Sequence, residues 1–196
     1  KLEQHGLAGM TDKSRRELLE RIKDMEFKGY ELEAAEGTFE LLVREALRPN
    51  AQFFEIVGFD VTTRMMGSYD TITTATVTLK IEDNIHTATA QGDGPVNALD
   101  VCLRQCLASR YPAISGVKLT DYKVRVLDMG RGTAAKVRVL VEWSDQKKHW
   151  STVGVSVNVI QASWIALVDA IRLELMRLTD ADESVEKAVE DDCWGV

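Results

Sequence analysis

The sequence predicts an α+β fold in which a helical N-terminal segment is followed by two copies of a βββα unit. Two observations predict it. After Pro49 the spacing of apolar residues changes from a helical period to strict alternation, which is typical of half-buried strands. The same order of strands, turns, glycine and helix then occurs a second time, 62 residues further along the chain. We therefore expect two antiparallel sheets with helices packed between or across them.

The first fifty residues predict two helices. Residues 14–17 (Ser-Arg-Arg-Glu) match a capping box ahead of apolar residues at helical spacing, and Gly29 separates this helix from a second one over residues 31–47. Pro49 ends the second helix. Because two short helices bury little apolar surface alone, we expect residues 1–50 to be a helical linker subdomain that packs on the following domain or on a missing neighbour.

Residues 51–112 predict the first βββα unit. The stretch 53–64 is rich in β-forming residues, and residues 74–81 alternate strictly between apolar and threonine or lysine side chains. A turn leads into a third strand over residues 85–90. Residues 92–95 (Gly-Asp-Gly-Pro) then open a helix, with the proline in its first turn. The apolar stripe of that helix consists of Val96, Leu99, Leu103 and Leu107.

Residues 113–178 predict the second unit, so the duplicated domain spans residues 51–180. At a constant offset of 62 residues, Val77 falls on Val139 and Gly92 falls on Gly154. The helix that follows the second glycine has its own apolar stripe of Ile160, Trp164, Leu167, Ile171 and Leu175.

The composition disfavours several classes of function. A formal net charge of −7 argues against nucleic acid as a partner, because an acidic surface repels phosphate backbones. No apolar run approaches the roughly 18 residues that cross a bilayer, so no membrane segment is expected. Residues 181–196 are expected to form a solvated acidic tail. The chain starts at Lys1 rather than at methionine, as a piece of a longer protein would.

The three cysteines do not make a disulfide framework. Cys102 and Cys106 lie four residues apart on one predicted helix, a spacing that could seat two metal ligands, but the three histidines are scattered. Buried free thiols are therefore the favoured interpretation, and no cofactor is expected in this chain. Free thiols in turn favour a reducing compartment, the cytoplasm.

The glycine segments leave two interpretations open. Neither belongs to a phosphate-loop or dinucleotide fingerprint, and residues 92–95 follow a hairpin rather than opening a βαβ unit. Exposed N–H groups at a helix start favour an anion, and the absence of lysine in both loops favours a carboxylate over a phosphate. The apolar residues nearby suit a branched aliphatic amino acid. The alternative is that both loops simply connect a strand to a helix.

Several segments resemble the C-terminal regulatory domain of the 2-isopropylmalate synthase family. The segment ATAQGDGPVNALDVCLRQCL (residues 88–107) is similar to its signature, and VGVSVNVIQASWIALVDAI (residues 153–171) resembles the matching part of its second repeat. The segments FKGYELEAAEGTFELLVREAL (residues 27–47) and YPAISGVKLTDYKVRVLD (residues 111–128) resemble the citramalate synthase branch of that family.

The resemblance implies a homodimeric regulatory domain that binds isoleucine and inhibits a catalytic barrel of the same chain. In the citramalate branch the barrel condenses acetyl-CoA with pyruvate on a divalent metal, in a pathway that leads to isoleucine. The Arg-Asp-Gly-x-Gln start and the His-x-His metal pair of that barrel have no counterpart here. The 196 residues alone are therefore not expected to catalyse the condensation.

The resemblance also implies an effector pocket near the dimer interface. By this resemblance, the helix after the first glycine loop (residues 92–95) and the segment that follows this helix would surround the effector's aliphatic side chain. Asp70, which Tyr69 precedes, is expected to meet the ammonium group, and backbone groups in residues 154–158 the carboxylate. The residues assigned in this way are Tyr69, Asp70, Leu99, Cys102, Cys106, Ile114, Val117, Gly154, Ser156 and Asn158.

Three alternative functions remain open. The first is a leucine-binding regulatory domain of a 2-isopropylmalate synthase. The second is a dimerisation module with a vestigial pocket, because Cys102 and Cys106 are small for a pocket wall and could serve core packing alone. The third is a free-standing enzyme that uses residues 92–95 as a phosphate cradle, which the missing lysine disfavours.

Overall fold

The computed structural model describes residues 10–67, 70–145 and 147–193, and of residues 66, 129 and 181–193 it describes the backbone alone. Short 3₁₀ turns precede and follow the fourth strand, at Pro112–Gly116 and Met129–Ala134. The helices and strands in chain order are α1 (Asp12–Lys28), α2 (Glu36–Leu47), β1 (Glu55–Met66), β2 (Asp70–Ile81), β3 (Asn84–Gly92), α3 (Pro95–Leu107), β4 (Lys118–Val126), β5 (Val137–Ser144), β6 (His149–Ser156) and α4 (Val159–Cys193).

The strands form two antiparallel sheets, which confirms the predicted duplicated βββα fold. The order is β1-β2-β3 in the first sheet and β4-β5-β6 in the second. Helix α3 packs on β2 and β3, and α4 packs on β5 and β6, so that one continuous apolar core joins both helices to the inner faces of both sheets. The apolar residues of β2, from Ala75 to Ile81, all face this core, as their alternation predicts.

The two units match at an offset of 64 residues rather than 62. The N-cap position of α3 is Gly94 and that of α4 is Asn158, and the ladder pair Val77–Ala88 corresponds to Val141–Thr152. In β1 and β4 the offset is 63, and both strands carry a bulge at equivalent places. The predicted constant offset of 62 is therefore wrong. Alternation repeats every two residues, so offsets of 62 and 64 place apolar on apolar equally well.

The start of α1 also differs from the prediction. Its N-cap is Thr11, whose Oγ1 accepts a hydrogen bond from the Ser14 backbone N–H at 3.1 Å. Ser14 thus lies within the first helical turn, and the predicted capping box that begins there is wrong. Helix α2 begins at Glu36 rather than at residue 31, because residues 31–35 form tight turns that use their own backbone hydrogen bonds.

Helix α2 fixes the helical segment to the edge of the second sheet. Thr38 Oγ1 accepts a hydrogen bond from the backbone N–H of Val153 in β6 at 2.9 Å. Val153 also joins a small second core with apolar residues of both helices, among them Leu18 and Leu42. On the outer face of the sheet, Arg138 donates to the Gly29 carbonyl at 2.7 Å.

A buried ion pair ties α2 to α4. Arg177 donates to both carboxylate oxygens of Glu40, at 3.0 and 2.5 Å, and Arg44 donates to Glu40 Oε1 at 2.8 Å. Burial opposes ionisation of Glu40, but the hydrogen bonds and charges of the two arginines outweigh it and lower the pKa of this carboxyl group. Among the described residues, no helix is long and apolar enough to cross a membrane.

Candidate functional site

The two long helices that follow the sheets begin differently. At α4, Asn158 Oδ1 accepts hydrogen bonds from the N–H groups of Ile160 at 2.9 Å and Gln161 at 3.4 Å, so the helix start is capped by the protein itself. At α3 the N-cap is Gly94, and no side chain caps the helix. The N–H groups at the start of α3 therefore remain available to an external acceptor, at the positive end of the helix dipole.

A cavity of about 390 Å³ opens beside the start of α3. It is called the α3–β4 pocket below, and it is lined by Val96, Asn97 and Asp100 of α3 and by Leu119 and Tyr122 of β4. Its walls thus combine apolar side chains, one carboxylate and an uncapped helix start. That combination suits a small zwitterion with an apolar side chain.

The corresponding space in the other half of the domain is filled. At the offsets of 63 and 64, Tyr122 corresponds to Phe59 and Asp100 corresponds to Trp164. The rings of Phe59 and Trp164 lie 5.2 Å apart and pack together. Asp100 instead accepts from Arg104 Nε with both carboxylate oxygens, at 3.0 and 2.9 Å.

Five of the residues predicted to form the aliphatic wall lie together in the core. Leu99, Cys102 and Cys106 face the first sheet, and Cys102 Sγ donates to the Ala75 carbonyl at 3.2 Å. Burial raises the pKa of both thiols, so each stays protonated and packs as a small apolar group. Ile114 and Val117 are also buried in this core, where Arg104 donates to the Ile114 carbonyl at 2.9 Å.

The remaining predicted residues lie at the ends of the two sheets. Asp70 is exposed at the start of β2, and Tyr69 lies outside the described residues. Ser156 Oγ donates to Gln161 Oε1 at 2.7 Å, and Asn158 forms the cap described above. The polar side chains of this loop are thus engaged with the start of α4.

The two glycines of the predicted loops have packing roles. A Cβ atom added to Gly154 would lie 1.9 Å from the Ala162 carbonyl oxygen, and one added to Gly92 would lie 2.5 Å from the Ala98 nitrogen. Each glycine therefore lets a helix approach the last strand of its sheet closely. This role accounts for both glycines without a phosphate.

An exposed apolar surface borders the pocket. Leu119 and Val124 of β4 pair in the ladder with Trp143 and Val139, which are fully buried on the inner face of the sheet. Leu119 and Val124 point to the same face, yet they remain 39% and 48% exposed, because α4 covers β5 and β6 rather than β4. We call this the first-strand surface; it consists of Leu119, Val124 and Val126 of β4.

Sequence reasoning missed Val96, Asn97, Asp100, Leu119 and Tyr122 as pocket residues. The available signal was Asp100, a carboxylate one helical turn after Val96, at a place where the second repeat has Trp164. That contrast becomes visible only with the offset of 64.

Comparison with known proteins gives one family and a consistent set of relatives. The sequence profile of the LeuA allosteric (dimerisation) domain matches residues 33–175. The chain is 44% identical over 169 residues to an (R)-citramalate synthase of Geobacter sulfurreducens, covering 86% of this chain and 32% of the relative. It is 41% identical over 172 residues to an (R)-citramalate synthase of Aquifex aeolicus, covering 87% and 32%.

More distant relatives carry a different name. A 2-isopropylmalate synthase of Thermus thermophilus is 27% identical over 187 residues, which covers 95% of this chain and 52% of the relative. The chain spans about a third of the length of the citramalate synthases it matches. The profile match extends over most of the chain, from the turn before α2 into α4. The chain therefore belongs to the LeuA allosteric (dimerisation) domain family, and it is similar to the regulatory part of (R)-citramalate synthases.

Proposed function

We propose that this chain is the isoleucine-binding regulatory and dimerisation domain of an (R)-citramalate synthase. The observation that carries the proposal is the α3–β4 pocket, which places an uncapped helix start, a carboxylate and apolar side chains around one small cavity. The identity of 41–44% to several (R)-citramalate synthases supports isoleucine over leucine as the effector.

The pocket suits each part of an aliphatic amino acid. The N–H groups of Val96 and Asn97 would donate to its carboxylate, and the helix dipole would add roughly 0.3–1 kcal/mol of attraction. The Asp100 carboxylate, one turn further along α3, would accept from its ammonium group. Leu119 and the ring of Tyr122 would enclose its branched side chain.

Among the described residues, those expected from the resemblance do not line this pocket but lie in the core, mainly on the buried side of α3, or at the ends of the sheets. Leu99, Cys102 and Cys106 lie on the buried side of α3 and would set how the helix sits on the sheet. Asp70, at the exposed start of β2, remains a proposed second partner for the ammonium group. The loop of residues 154–158 remains a proposed carboxylate partner, although its side chains already serve the start of α4.

We further propose that the first-strand surface joins two copies of the chain. Its residues lie on the inner face of the second sheet, and only a further layer would remove them from water. Leu119 belongs both to this surface and to the pocket, so a second copy would also close the pocket over its ligand. Binding and dimer geometry would then be coupled directly.

The proposed whole protein would be a cytoplasmic enzyme that condenses acetyl-CoA with pyruvate on a barrel holding a divalent metal. Isoleucine, the end product of its pathway, would inhibit that barrel from the regulatory domain. A coupling energy of about 1–3 kcal/mol is typical for such communication between distant sites. The buried free thiols of Cys102 and Cys106 agree with a reducing compartment.

Calorimetric titration of the chain with isoleucine, leucine and valine tests the proposal. We expect isoleucine to bind at least about tenfold more tightly than the other two, because a fixed apolar cavity distinguishes leucine by its branching at the γ carbon and valine by its missing methylene group. A preference for leucine would assign the domain to a 2-isopropylmalate synthase instead. A dimer by light scattering that binds none of the three amino acids would make it a dimerisation module alone.

A further inference from the structure

A second cavity, of about 400 Å³, lies where the helical segment meets the core. Three arginines reach it from three different elements: Arg21 from α1, Arg48 from the end of α2 and Arg172 from α4. We call it the arginine pocket. Its apolar lining consists of Pro49, Ala51, Phe53, Phe54 and Met176.

Two of the arginines in this pocket, Arg21 and Arg172, have N–H donors available beyond the contacts described here. Arg21 forms an ion pair with Glu45 at 2.8 Å, and Arg48 forms one with Asp180 at 2.7 Å. Arg172 forms no ion pair with the side chains that the structure describes, and its guanidinium lies 5.3 Å from the centre of the Phe54 ring. A guanidinium carries five N–H donors, so Arg21 and Arg172, which belong to different helices, retain donors for a ligand.

The charge around the pocket is unusual for this chain. The protein carries a formal net charge of −7, but three positive groups and one carboxylate, Glu45, line this cavity. Asp180 neutralises part of this charge from outside the lining, and Asp169 acts electrostatically on Arg172 from one turn earlier in α4. The lining itself thus keeps an excess of positive charge, which favours an anion.

We propose that the arginine pocket binds a small organic dicarboxylate. Guanidinium groups on separate elements match two carboxylates better than one, because each carboxylate accepts paired N–H bonds from one fork. The wall of Phe53, Phe54 and Met176 gives the carbon chain between the carboxylates an apolar contact that inorganic phosphate would not use. An amino acid would bring its ammonium group among three cations.

Occupancy of this pocket would link the helical segment to the core. The ligand would bridge α1, the end of α2 and α4 at once. A ligand that binds only the folded arrangement raises the free energy of unfolding. The site is separate from the α3–β4 pocket and shares no lining residue with it.

Titration of the chain with succinate, acetate and inorganic phosphate at constant ionic strength tests the proposal. We expect saturable binding of succinate with a dissociation constant below about 1 mM, and at least about tenfold weaker binding of acetate and phosphate. Arg172→Gln should weaken succinate binding at least about tenfold, because it removes a charged donor. Arg125→Gln, an exposed arginine on the outer face of β4, should leave succinate binding unchanged.

Further variants keep the test decisive. Arg21→Gln alters the exposed rim of the pocket and should also weaken succinate binding while the melting temperature without ligand stays the same. Asp100→Trp, which fills the α3–β4 pocket, should leave succinate binding unchanged. No saturable succinate binding, equal binding by Arg172→Gln and the parent chain, or phosphate binding as tight as that of succinate would overturn the proposal. None of these outcomes bears on isoleucine binding.

Discussion

Asp100 of α3 and Trp164 of α4 occupy equivalent positions, each six residues after the N-cap of its helix. Trp164 packs its ring on Phe59 of the opposite sheet, whereas Asp100 pairs with Arg104 on its own helix. If both units carried the same residue at this position, a large aromatic side chain would fill the space in both halves. The α3–β4 pocket therefore exists where Asp100 stands in place of a large aromatic side chain.

Filling the α3–β4 pocket with an aromatic side chain should abolish effector binding. Asp100→Trp puts into α3 the side chain that fills the matching space beside α4, and it also removes the proposed partner of the ammonium group. We expect isoleucine affinity to fall by at least about a hundredfold in a calorimetric titration. Asp100→Asn, which keeps the cavity and removes only the charge, should lower affinity by roughly tenfold. Equal binding by all three proteins would contradict the assignment of this pocket.

A charge on the first-strand surface should separate the dimer. Val124→Asp places a carboxylate at the centre of the surface, where a second copy would bury it without a partner. We expect dimer dissociation to increase by at least about a hundredfold, measured by light scattering over a dilution series. Ile85→Asp is the matched control, since Ile85 is 60% exposed on the outer face of β3 and should not affect association. A stable Val124→Asp dimer would place the interface elsewhere.

Glycine at position 154 should be required for stability. The Cβ atom of Gly154→Ala would lie 1.9 Å from the Ala162 carbonyl oxygen, so β6 and α4 would have to move apart. We expect the free energy of unfolding to fall by about 3 kcal/mol, measured by urea denaturation. Gly116→Ala meets no atom within 4 Å and should stay within about 0.5 kcal/mol of the parent chain. Similar losses in both variants would show that the close packing is not the cause.

Asp169, which lies near the helical segment, should make the free energy of unfolding depend on pH. Burial raises the pKa of Asp169 to about 7, with the charge of Arg172 opposing the shift and that of Glu45 adding to it. Thr38 donates to this carboxyl group, Arg21 lowers its pKa, and Tyr30 also faces it. Because its folded pKa exceeds the ordinary value, the protonated form stabilises the native state. That contribution is complete below about pH 4 and is lost as the pH rises through about 7.

Asp169→Asn isolates this effect, because its side chain stays neutral at every pH. Relative to the parent chain, the variant should gain about 2 kcal/mol in free energy of unfolding between pH 4 and pH 8. This value is smaller than the full shift implies, since Asp169 keeps partial contact with solvent. Urea denaturation across this range measures it. A difference that does not vary with pH would show that folding does not raise the pKa of Asp169.

The strands of this domain were predictable because their pattern is local. The alternation in residues 74–81 and 137–143 requires one wet and one buried face, and the structure has both. The number of residues between the repeats was not predictable in the same way. Alternation fixes the offset only to an even number, and two glycines with packing roles of their own suggested the wrong one.

The pocket was less predictable than the fold. Its walls come from the start of α3 and from β4, and which side chains meet there depends on how one repeat faces the other. The resemblance directed attention to Cys102 and Cys106, which lie on the buried side of the same helix. The predicted residues thus lie on the helix that lines the α3–β4 pocket, but which side of that helix is accessible depends on the packing of the two sheets.

The hydrogen bond from Val153 to Thr38 has a consequence for assembly. An open strand edge invites another strand, and a sheet that is open on both sides can add copies without end. Helix α2 occupies the β6 side of the second sheet, so strand-to-strand growth of that sheet is blocked on one flank. The second sheet can therefore add strands only at its β4 edge, and two copies that paired there would leave that sheet no further open edge.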